Sequence, residues 1–177
     1  LDQWLDELGL FTDWYCPAVG LEVDAEAYRA VWHEALAPVA ADPFLSVNSD
    51  NLWTDGGGDT LKRLAAAWDG ERMDALLLLV PLGQARNHRG PGDFFLEPDG
   101  RVVRRGSAER APFVFTGVQM IAKRLLRDAP DGPFSTNVLW DRAIGEGRCF
   151  GAVHDGQWFD VGTPAAIPAT EAVLADG

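Results

Sequence analysis

Cysteine and histidine are scarce in this sequence, and their scarcity excludes two classes of small protein. The 177 residues include two cysteines, Cys16 and Cys149, and three histidines. Two thiols cannot build the disulfide framework of a small secreted domain, and with scattered histidines they do not form a zinc site. We therefore expect both cysteines to be free thiols of a cytoplasmic protein.

Positive charge and long apolar runs are lacking as well. The formal net charge is −12. Nonspecific binding to nucleic acid or to an anionic membrane needs patches of Lys and Arg, so we expect neither partner. No apolar run reaches the roughly 18 residues of a membrane span, and no signal-peptide pattern opens the chain. The chain begins at Leu1 instead of a methionine, and we expect it to be a fragment.

The order of the predicted elements indicates one domain of the mixed α/β class. Hydrophobic residues make up 47% of the sequence and charged residues 24%, which is ordinary for a globular domain. Strands alternate with helices, so we expect a mixed, mostly parallel Rossmann-like sheet with flanking helices and β-hairpins. The predicted strands are 44–47, 75–80, 94–96, 102–103, 113–115 and 158–161, and the predicted helices are 1–8, 25–36, 60–68, 121–128, 135–146 and one opening at Thr163-Pro164.

Several local patterns make these predictions specific. The run Ala75–Val80 is apolar without alternation, which is typical of a central strand buried on both faces. Two turn motifs predict hairpins, namely Pro98-Asp99-Gly100 and the segment His154-Asp155-Gly156-Gln157, whose Asp-Gly pair suits a type I′ turn. Asp24 and Thr60 are predicted to cap the helices that follow them.

Two aspartates stand where a ligand site is expected. In open α/β sheets, ligands bind beyond the carboxyl ends of the strands. Asp50 follows the strand 44–47, and Asp160 lies at the end of the strand that begins at Trp158. Two carboxylates that share one crevice repel each other unless a cation lies between them, and Mg²⁺ is commonly held by one or two carboxylates together with substrate phosphates. A turn or capping role for each aspartate is the alternative that spacing alone leaves open.

The motif VNSDNLWTDG, followed far downstream by GQWFDVGTPAAI, resembles the sugar-1-phosphate nucleotidyltransferase family. The resemblance is to bacterial N-acetylmuramate-1-phosphate uridylyltransferases and mannose-1-phosphate guanylyltransferase-like proteins. Between the two motifs stand MDALLLLVP, GPGDFFLEPDGRV, APFVFTGVQMI and FSTNVLWDRAIGEGRCFGAVHDGQWFDVGTP, in the order of the family. The resemblance runs from about Asp42 to Leu174. It implies the fold of the nucleotide-diphospho-sugar transferases.

The resemblance also implies a reaction and a set of site residues. A sugar 1-phosphate attacks the α-phosphate of a nucleoside triphosphate, with UTP favoured, and pyrophosphate leaves. Asp50 and Asp160 match the family's two metal-binding aspartates and would hold Mg²⁺. Gly92 and Gly117 match positions where the backbone approaches the sugar, and a glycine leaves that approach open. Activity of this kind belongs to nucleotide-sugar biosynthesis and, for the muramate enzymes, to cell-wall sugar metabolism.

For several other candidate ligand-binding residues, the sequence leaves two interpretations open. Asn48 either contacts the ligand or braces its loop with a hydrogen bond from its side chain to the backbone. Asn137 is a candidate contact to the sugar, and a solvated helix face is the alternative. Trp140 and Trp158 could stack on a sugar, although packing in the core is favoured for both.

Most of the nucleotide-binding half of the family has no counterpart among these residues. The family opens with a glycine-rich loop of the type L-A-A-G-x-G-x-R-M, followed by K-P, and neither occurs here. By the resemblance, residues 1–41 are a divergent remnant of the nucleotide half, and 42–177 form the metal and sugar-phosphate half of an N-terminally incomplete single domain. Without the loop's N–H donors for the β- and γ-phosphates, we expect weak or absent turnover from this chain alone.

Two other functions stay open from sequence. One is a binding module that holds a sugar phosphate or nucleotide sugar without chemistry. The other is an inactive fragment that needs a partner chain to restore missing strands, because an unpaired sheet edge promotes association. The oligomeric state is left open.

Overall fold

The structure is a computed structural model, and it describes residues 12–13, 16–31, 41–130 and 134–175. The chain divides into two compact units, Leu1–Phe44 and Leu45–Gly177. The division falls close to the predicted one between residues 1–41 and 42–177. That the two parts form a single domain stays a prediction.

The first unit contains one turn of helix, Cys16–Ala18, and a helix that is described over 25–31. Asp24 caps this second helix, because its Oδ1 accepts hydrogen bonds from the backbone N–H groups of Glu26 and Ala27, each at 3.0 Å. The predicted cap and helix start are therefore confirmed. The predicted end near Leu36 and the predicted helix over 1–8 lie outside the described residues.

The second unit is built on a large sheet and a small one. The large sheet has the strand order β6-β5-β7-β3-β8, with β1 also paired to β7, and the small sheet has the order β2-β9-β4. The strands are β1 (Phe44–Val47), β2 (Asn51–Trp53), β3 (Ala75–Pro81), β4 (Ala85–Arg86), β5 (Phe94–Leu96), β6 (Val102–Arg104), β7 (Phe113–Ile121), β8 (Cys149–Val153) and β9 (Trp158–Asp160).

Three helices and two 3₁₀ turns complete the second unit. The helices are α1 (Thr60–Ala67), α2 (Asn137–Gly145) and α3 (Ala166–Ala175), and the 3₁₀ turns are Leu82–Gln84 and Lys123–Leu126. The mixed α/β class is confirmed. Among the pairings with a described direction, however, antiparallel ones outnumber the parallel pairs β3–β8 and β4–β9, so the predicted mostly parallel sheet is wrong. The reason is that β7 runs antiparallel to both β3 and β5 in the middle of the sheet.

Strand β3 is the centre of the large sheet, as its unbroken apolar run predicts. It pairs with β7 on one side and β8 on the other. Residues 75–80 are each at most 3% exposed. Leu76 and Leu78 pack with Leu64 of α1 and with Phe150 in one core cluster. A strand with polar alternation could not occupy this place, because both of its faces are covered.

The predicted hairpin at His154–Gln157 is wrong. Strand β8 pairs with β3 in the large sheet, whereas β9 pairs with β2 and β4 in the small sheet. Gly156 does not have the positive φ that a type I′ turn requires. A Cβ at Gly156 would instead collide with the carbonyl oxygen of Thr54. A glycine is therefore needed at this position, because the backbone of residue 156 passes close to that of Thr54 where the chain leaves the large sheet for the small one.

The ends of other elements also differ from the predictions. Strand β7 continues to Ile121, so that the predicted helix over 121–128 is a 3₁₀ turn. The cap of α1 is Asp59, whose side chain accepts from the N–H of Lys62, and Thr60 is the first helical residue. Helix α3 begins at Ala166, which places Pro168 in the first turn, where its missing N–H costs no hydrogen bond. Among the described residues, no helix is long and apolar enough to cross a membrane.

The buried thiol of Cys149 predicts a loss of stability at alkaline pH. Cys149 is 1% exposed. Burial raises the pKa of this thiol from 9.0 to about 12, while the charge of Arg104 lowers it to a smaller extent. A pKa that is raised in the folded state contributes stability that is complete below the unfolded pKa and is lost as pH rises toward the folded one. Between about pH 8 and pH 10.5, we expect the free energy of unfolding of the wild type to fall by about 2 kcal/mol more than that of Cys149→Ala.

Urea unfolding at the two pH values measures this difference. Cys149→Val is the matched second variant, since it also removes the thiol and keeps an apolar side chain at this buried position. Its slope should equal that of Cys149→Ala. Equal slopes for wild type and Cys149→Ala would contradict the prediction.

Candidate active site

The small sheet brings the two predicted aspartates together. Strand β2 runs antiparallel to β9, and their register pairs Asn51 with Asp160. Asp50 is the residue just before Asn51, and its carbonyl oxygen accepts from the N–H of Val161 at 3.0 Å. The polar break in the motif VNSDNLW is thus the tight connection from β1 in the large sheet to β2 in the small one.

The two carboxylates meet beside Gly162. A Cβ at Gly162 would lie 3.2 Å from Oδ2 of Asp50 and 3.2 Å from Oδ1 of Asp160. The N–H of Gly162 donates to Oδ1 of Asp160 at 3.0 Å, which orients that carboxylate. Any larger residue here would press on both carboxylates. The geometry therefore places both carboxylates beside the same glycine and in one crevice, as the sequence predicts.

The arrangement suits a hard cation that is shared with a ligand. Mg²⁺ prefers oxygen ligands and is usually held by one or two carboxylates plus phosphates and water. The described residues contain no group of three or more His, Cys, Asp or Glu side chains that could hold a metal by themselves. Asp50 and Asp160 fit the role of a two-carboxylate site, and further oxygens would come from ligand and solvent.

A cavity of about 200 Å³ opens beside the aspartates. Four of the predicted site residues line it, namely Asn48, Asp50, Gly117 and Asp160. Five further lining residues were not expected from the sequence: Asn51, His88, Asp93, Val114 and Phe115. Trp158, a candidate from sequence for stacking on a sugar, lines the cavity as well. The site therefore combines β7, the β1–β2 connection, β9 and the loop before β5.

Gly117 lies at a close approach of two backbones. Its φ is +86°, and a Cβ there would collide with the side-chain amide of Asn51. That amide donates to the carbonyl oxygen of Asn48 at 3.1 Å, and the N–H of Asn48 donates to the carbonyl oxygen of Gly117 at 2.9 Å. The main chain of Asn48 thus joins the loop to β7. A bracing hydrogen bond from the Asn48 side chain and a contact between that side chain and a ligand both stay predictions.

Gly92 and Asn137 are not among the residues that line this cavity. Gly92 has φ +88°, and a Cβ there would collide with the carbonyl oxygen of Ala111. Asn137 begins α2, and its side-chain amide donates to Oγ of Ser135 at 3.0 Å. The roles expected for both from the family stay predictions.

Both tryptophans pack in the core, as favoured from sequence. Trp140 is 6% exposed and its Nε1 donates to Oε1 of Gln119 at 2.8 Å. Trp158 is 3% exposed and its Nε1 donates to the carbonyl oxygen of Thr116 at 3.0 Å. Buried rings whose polar atoms are already paired contribute mainly packing.

Asp93 is a site residue that sequence reasoning missed. Its Oδ2 accepts from the N–H of Phe115 at 2.9 Å, and its own N–H donates to the carbonyl oxygen of Phe113 at 2.7 Å. These bonds fix the start of β7 against the loop before β5. Its position directly after Gly92 in the GPGDFF motif was the signal that could have identified it.

Comparison with solved structures defines the class of this fold. Inositol-1-phosphate CTP transferase from T. maritima matches with a TM-score of 0.54 at 16% identity, covering 84% of this chain and 60% of that one. The UTP-bound UGPase from Acinetobacter baumannii matches with a TM-score of 0.55 at 18% identity, covering 84% and 55%. The fold is therefore that of the sugar-1-phosphate nucleotidyltransferases.

Sequence comparison then identifies a relative of this chain. Over 142 residues the chain is 39% identical to the N-acetylmuramate alpha-1-phosphate uridylyltransferase of Caulobacter vibrioides. The alignment covers 80% of this chain and 59% of that relative, so the chain spans about three-fifths of the relative's length. No family model matches the chain. The resemblance drawn from the motifs is confirmed, and the chain is related in sequence to these uridylyltransferases.

Proposed function

We propose that this chain provides the metal and sugar-phosphate part of a nucleotidyltransferase that joins a nucleoside monophosphate to a sugar 1-phosphate. The observation that carries the proposal is the convergence of Asp50 and Asp160 beside Gly162, where both line one cavity. The sequence relationship to a uridylyltransferase supports UTP as the nucleotide and N-acetylmuramate 1-phosphate as the sugar substrate.

The proposed reaction is a displacement at phosphorus. A phosphate oxygen of the sugar 1-phosphate forms a bond to the α-phosphorus of the nucleoside triphosphate. The bond from that phosphorus to the bridging oxygen of the β-phosphate breaks, and pyrophosphate leaves with the electron pair. The products are the nucleoside-diphosphate sugar and pyrophosphate.

The protein contributes mainly position and charge. Two anions must approach each other, so catalysis depends on holding them in line and offsetting their charge. Asp50 and Asp160 would hold Mg²⁺, which when bound neutralises the charge that gathers on the reacting phosphates. Gly117 makes room for the Asn51 side chain beside the cavity, and Asp93 holds the start of the neighbouring strand in place.

A pyrophosphate-release assay with each nucleoside triphosphate, several sugar 1-phosphates and Mg²⁺ tests the proposal. We expect weak turnover from a polypeptide of these 177 residues, because they contain no glycine-rich phosphate loop. Joining it to the segment of the Caulobacter relative that the alignment leaves uncovered is expected to raise the rate with UTP. Robust turnover without that segment would contradict the expected importance of the loop.

Calorimetry with sugar 1-phosphate, with and without Mg²⁺, separates this proposal from a binding module without chemistry. Binding that requires Mg²⁺ is expected for the proposed function. Binding that is equally strong without Mg²⁺, and that survives neutralisation of the two aspartates, would favour the binding module.

A further inference from the structure

We propose that Asn87 is a positioning residue of the candidate active site, whose side-chain amide holds the main chain that joins Asp50 to Asp160. The inference deepens the proposed function and rests on it, because it assigns to Asn87 the spacing of the two carboxylates that would hold Mg²⁺. Asn87 is not among the residues that line the cavity, and it lies outside the motifs that carry the family resemblance.

The backbone of Asn87 is the first observation. Its φ is +63°, and it is the one non-glycine residue with a positive φ in the described part of the chain. A left-handed residue cannot continue an extended strand, and β4 ends at Arg86, the residue before it. Asparagine adopts this conformation more readily than most residues, and glycine adopts it freely. The conformation alone would therefore be served equally well by glycine.

The contacts of the Asn87 side chain are the second observation. Its Nδ2 donates to the carbonyl oxygen of Asp160 at 3.2 Å and to Oγ1 of Thr170 at 2.9 Å. The Thr170 hydroxyl donates to the carbonyl oxygen of Ala166, so it accepts from Asn87. Both partners are acceptors, which requires the nitrogen of the amide to face them. The side chain thus has a task that glycine could not perform.

The register of the small sheet explains why this hydrogen bond falls on Asp160. Strands β4 and β9 are parallel, and their register sets Arg86 opposite Phe159. The next step of the register brings position 87 beside position 160. Since β4 has ended there, the side chain of Asn87 takes the place of backbone pairing. It fastens the last residue of β9, which is the residue that carries the carboxylate.

The peptide group between Asp160 and Val161 is held at both ends. Its carbonyl oxygen accepts from Asn87, and its N–H donates to the carbonyl oxygen of Asp50 at 3.0 Å. Hydrogen bonds in such a chain polarise one another, so the loss of one weakens the next. A rotation of this peptide group would move the backbone of both aspartates. Asn87 therefore fixes, through one peptide group, the place where the two carboxylates meet.

The two carboxylates need such a restraint. They lie beside Gly162, and in the metal-free protein they repel each other. A metal site binds most tightly when its ligands are already at their final spacing, and the hydrogen-bond partners around the ligands supply that order. The loss of one hydrogen bond at the surface predicts an effect of about 3- to 10-fold on Mg²⁺-dependent binding.

Asn87→Gly and Asn87→Ala are the two variants that test the proposal. Glycine removes the amide and keeps the left-handed backbone, whereas alanine removes the amide and strains that backbone. Calorimetry with N-acetylmuramate 1-phosphate and Mg²⁺ compares them with wild type. We expect both variants to bind about 3- to 10-fold more weakly. If only the backbone conformation mattered, Asn87→Gly would bind as wild type does.

Hydrogen exchange at the Val161 amide gives a readout that depends on neither metal nor substrate. In the metal-free protein, we expect this amide to exchange about 3- to 10-fold faster in Asn87→Gly than in wild type, because its peptide group is then held only through the N–H. Amides of β3, which belong to the large sheet, are the internal control and should exchange at unchanged rates.

Unchanged exchange at Val161 in Asn87→Gly, or unchanged Mg²⁺-dependent binding in that variant, would overturn the proposal. A wild type that shows no Mg²⁺-dependent binding would overturn the proposed function instead, and with it the role of Asn87 toward the metal. The exchange rate of Val161 would still decide whether Asn87 holds this peptide group, so that the two failures are distinguishable.

Discussion

Asp50→Asn and Asp160→Asn are each expected to abolish Mg²⁺-dependent binding of sugar 1-phosphate. Each substitution removes one of the two carboxylates that we propose as Mg²⁺ ligands. A bound metal contributes several kcal/mol of charge stabilisation, so the expected weakening is about 100-fold or more. Calorimetry with Mg²⁺ and sugar 1-phosphate measures the change, and the pyrophosphate assay on an active form of the protein should show a parallel loss.

The same substitutions should have the opposite effect on the metal-free protein. Two like charges that meet beside Gly162 repel each other by about 1 kcal/mol in a solvated site. Asn preserves the acceptor that receives the Gly162 N–H, so neutralising Asp160 relieves repulsion without breaking that hydrogen bond. We therefore expect equal or higher stability without Mg²⁺, and no stabilisation when Mg²⁺ is added.

Asp128→Asn is the matched control for charge. Asp128 has a 94% exposed side chain and a loose ion pair of 3.9 Å with Arg142. Removing its charge should change neither Mg²⁺ binding nor stability by a measurable amount. Wild-type Mg²⁺ dependence in either Asp50→Asn or Asp160→Asn would exclude the two-aspartate site.

Asp74→Ala is expected to produce the largest loss of stability. The Asp74 side chain is 8% exposed, and its Oδ1 accepts from Nε of Arg124 at 2.6 Å and from Nε of Arg148 at 2.9 Å. The same two guanidinium groups donate to the carbonyl oxygens of Gly70, Met73 and Glu71. The cluster fastens the start of β3 to the end of β7 and the start of β8.

Removing the carboxylate leaves two guanidinium groups without their shared acceptor. Hydrogen bonds to charged groups contribute about 1.5–3 kcal/mol each, and partial exposure of the arginines reduces the sum, so we expect a loss of about 2–4 kcal/mol. Urea unfolding measures it. Asp99→Ala, which breaks an exposed pair with Arg101, should cost much less than Asp74→Ala. Similar losses in the two variants would show that burial of Asp74 does not matter.

The elements predicted correctly from sequence are those that local physics decides. The run Ala75–Val80 has too many adjacent apolar residues for any place except a strand covered on both faces. The hairpin around Pro98-Asp99-Gly100 forms because the turn residues suit it, and Gly100 has φ +90°. Asp24 caps its helix through bonds to residues two and three positions away. In each case the interactions lie within a few residues of one another.

The predictions that failed concern partners far apart in the chain. The Asp155-Gly156 pair favours a hairpin locally, but β8 gains a buried neighbour in β3 and β9 gains partners in β2 and β4. Burial of apolar strands in two sheets outweighs a turn preference of two residues. Helix 121–128 failed for the same reason, since pairing with β3 extends β7 to Ile121.

The sequence by itself determined which side chains are available for chemistry. It placed Asp50 after a strand and Asp160 at the end of another, and the order of its motifs was enough to indicate a nucleotidyltransferase. Only the tertiary structure decided that these aspartates meet, because the pairing of Asn51 with Asp160 joins segments separated by more than a hundred residues. It also decided that His88 lines the cavity beside them, next to Asn87, whose side-chain amide donates to the carbonyl oxygen of Asp160. Contacts of this kind depend on long-range packing, which no short stretch of sequence encodes.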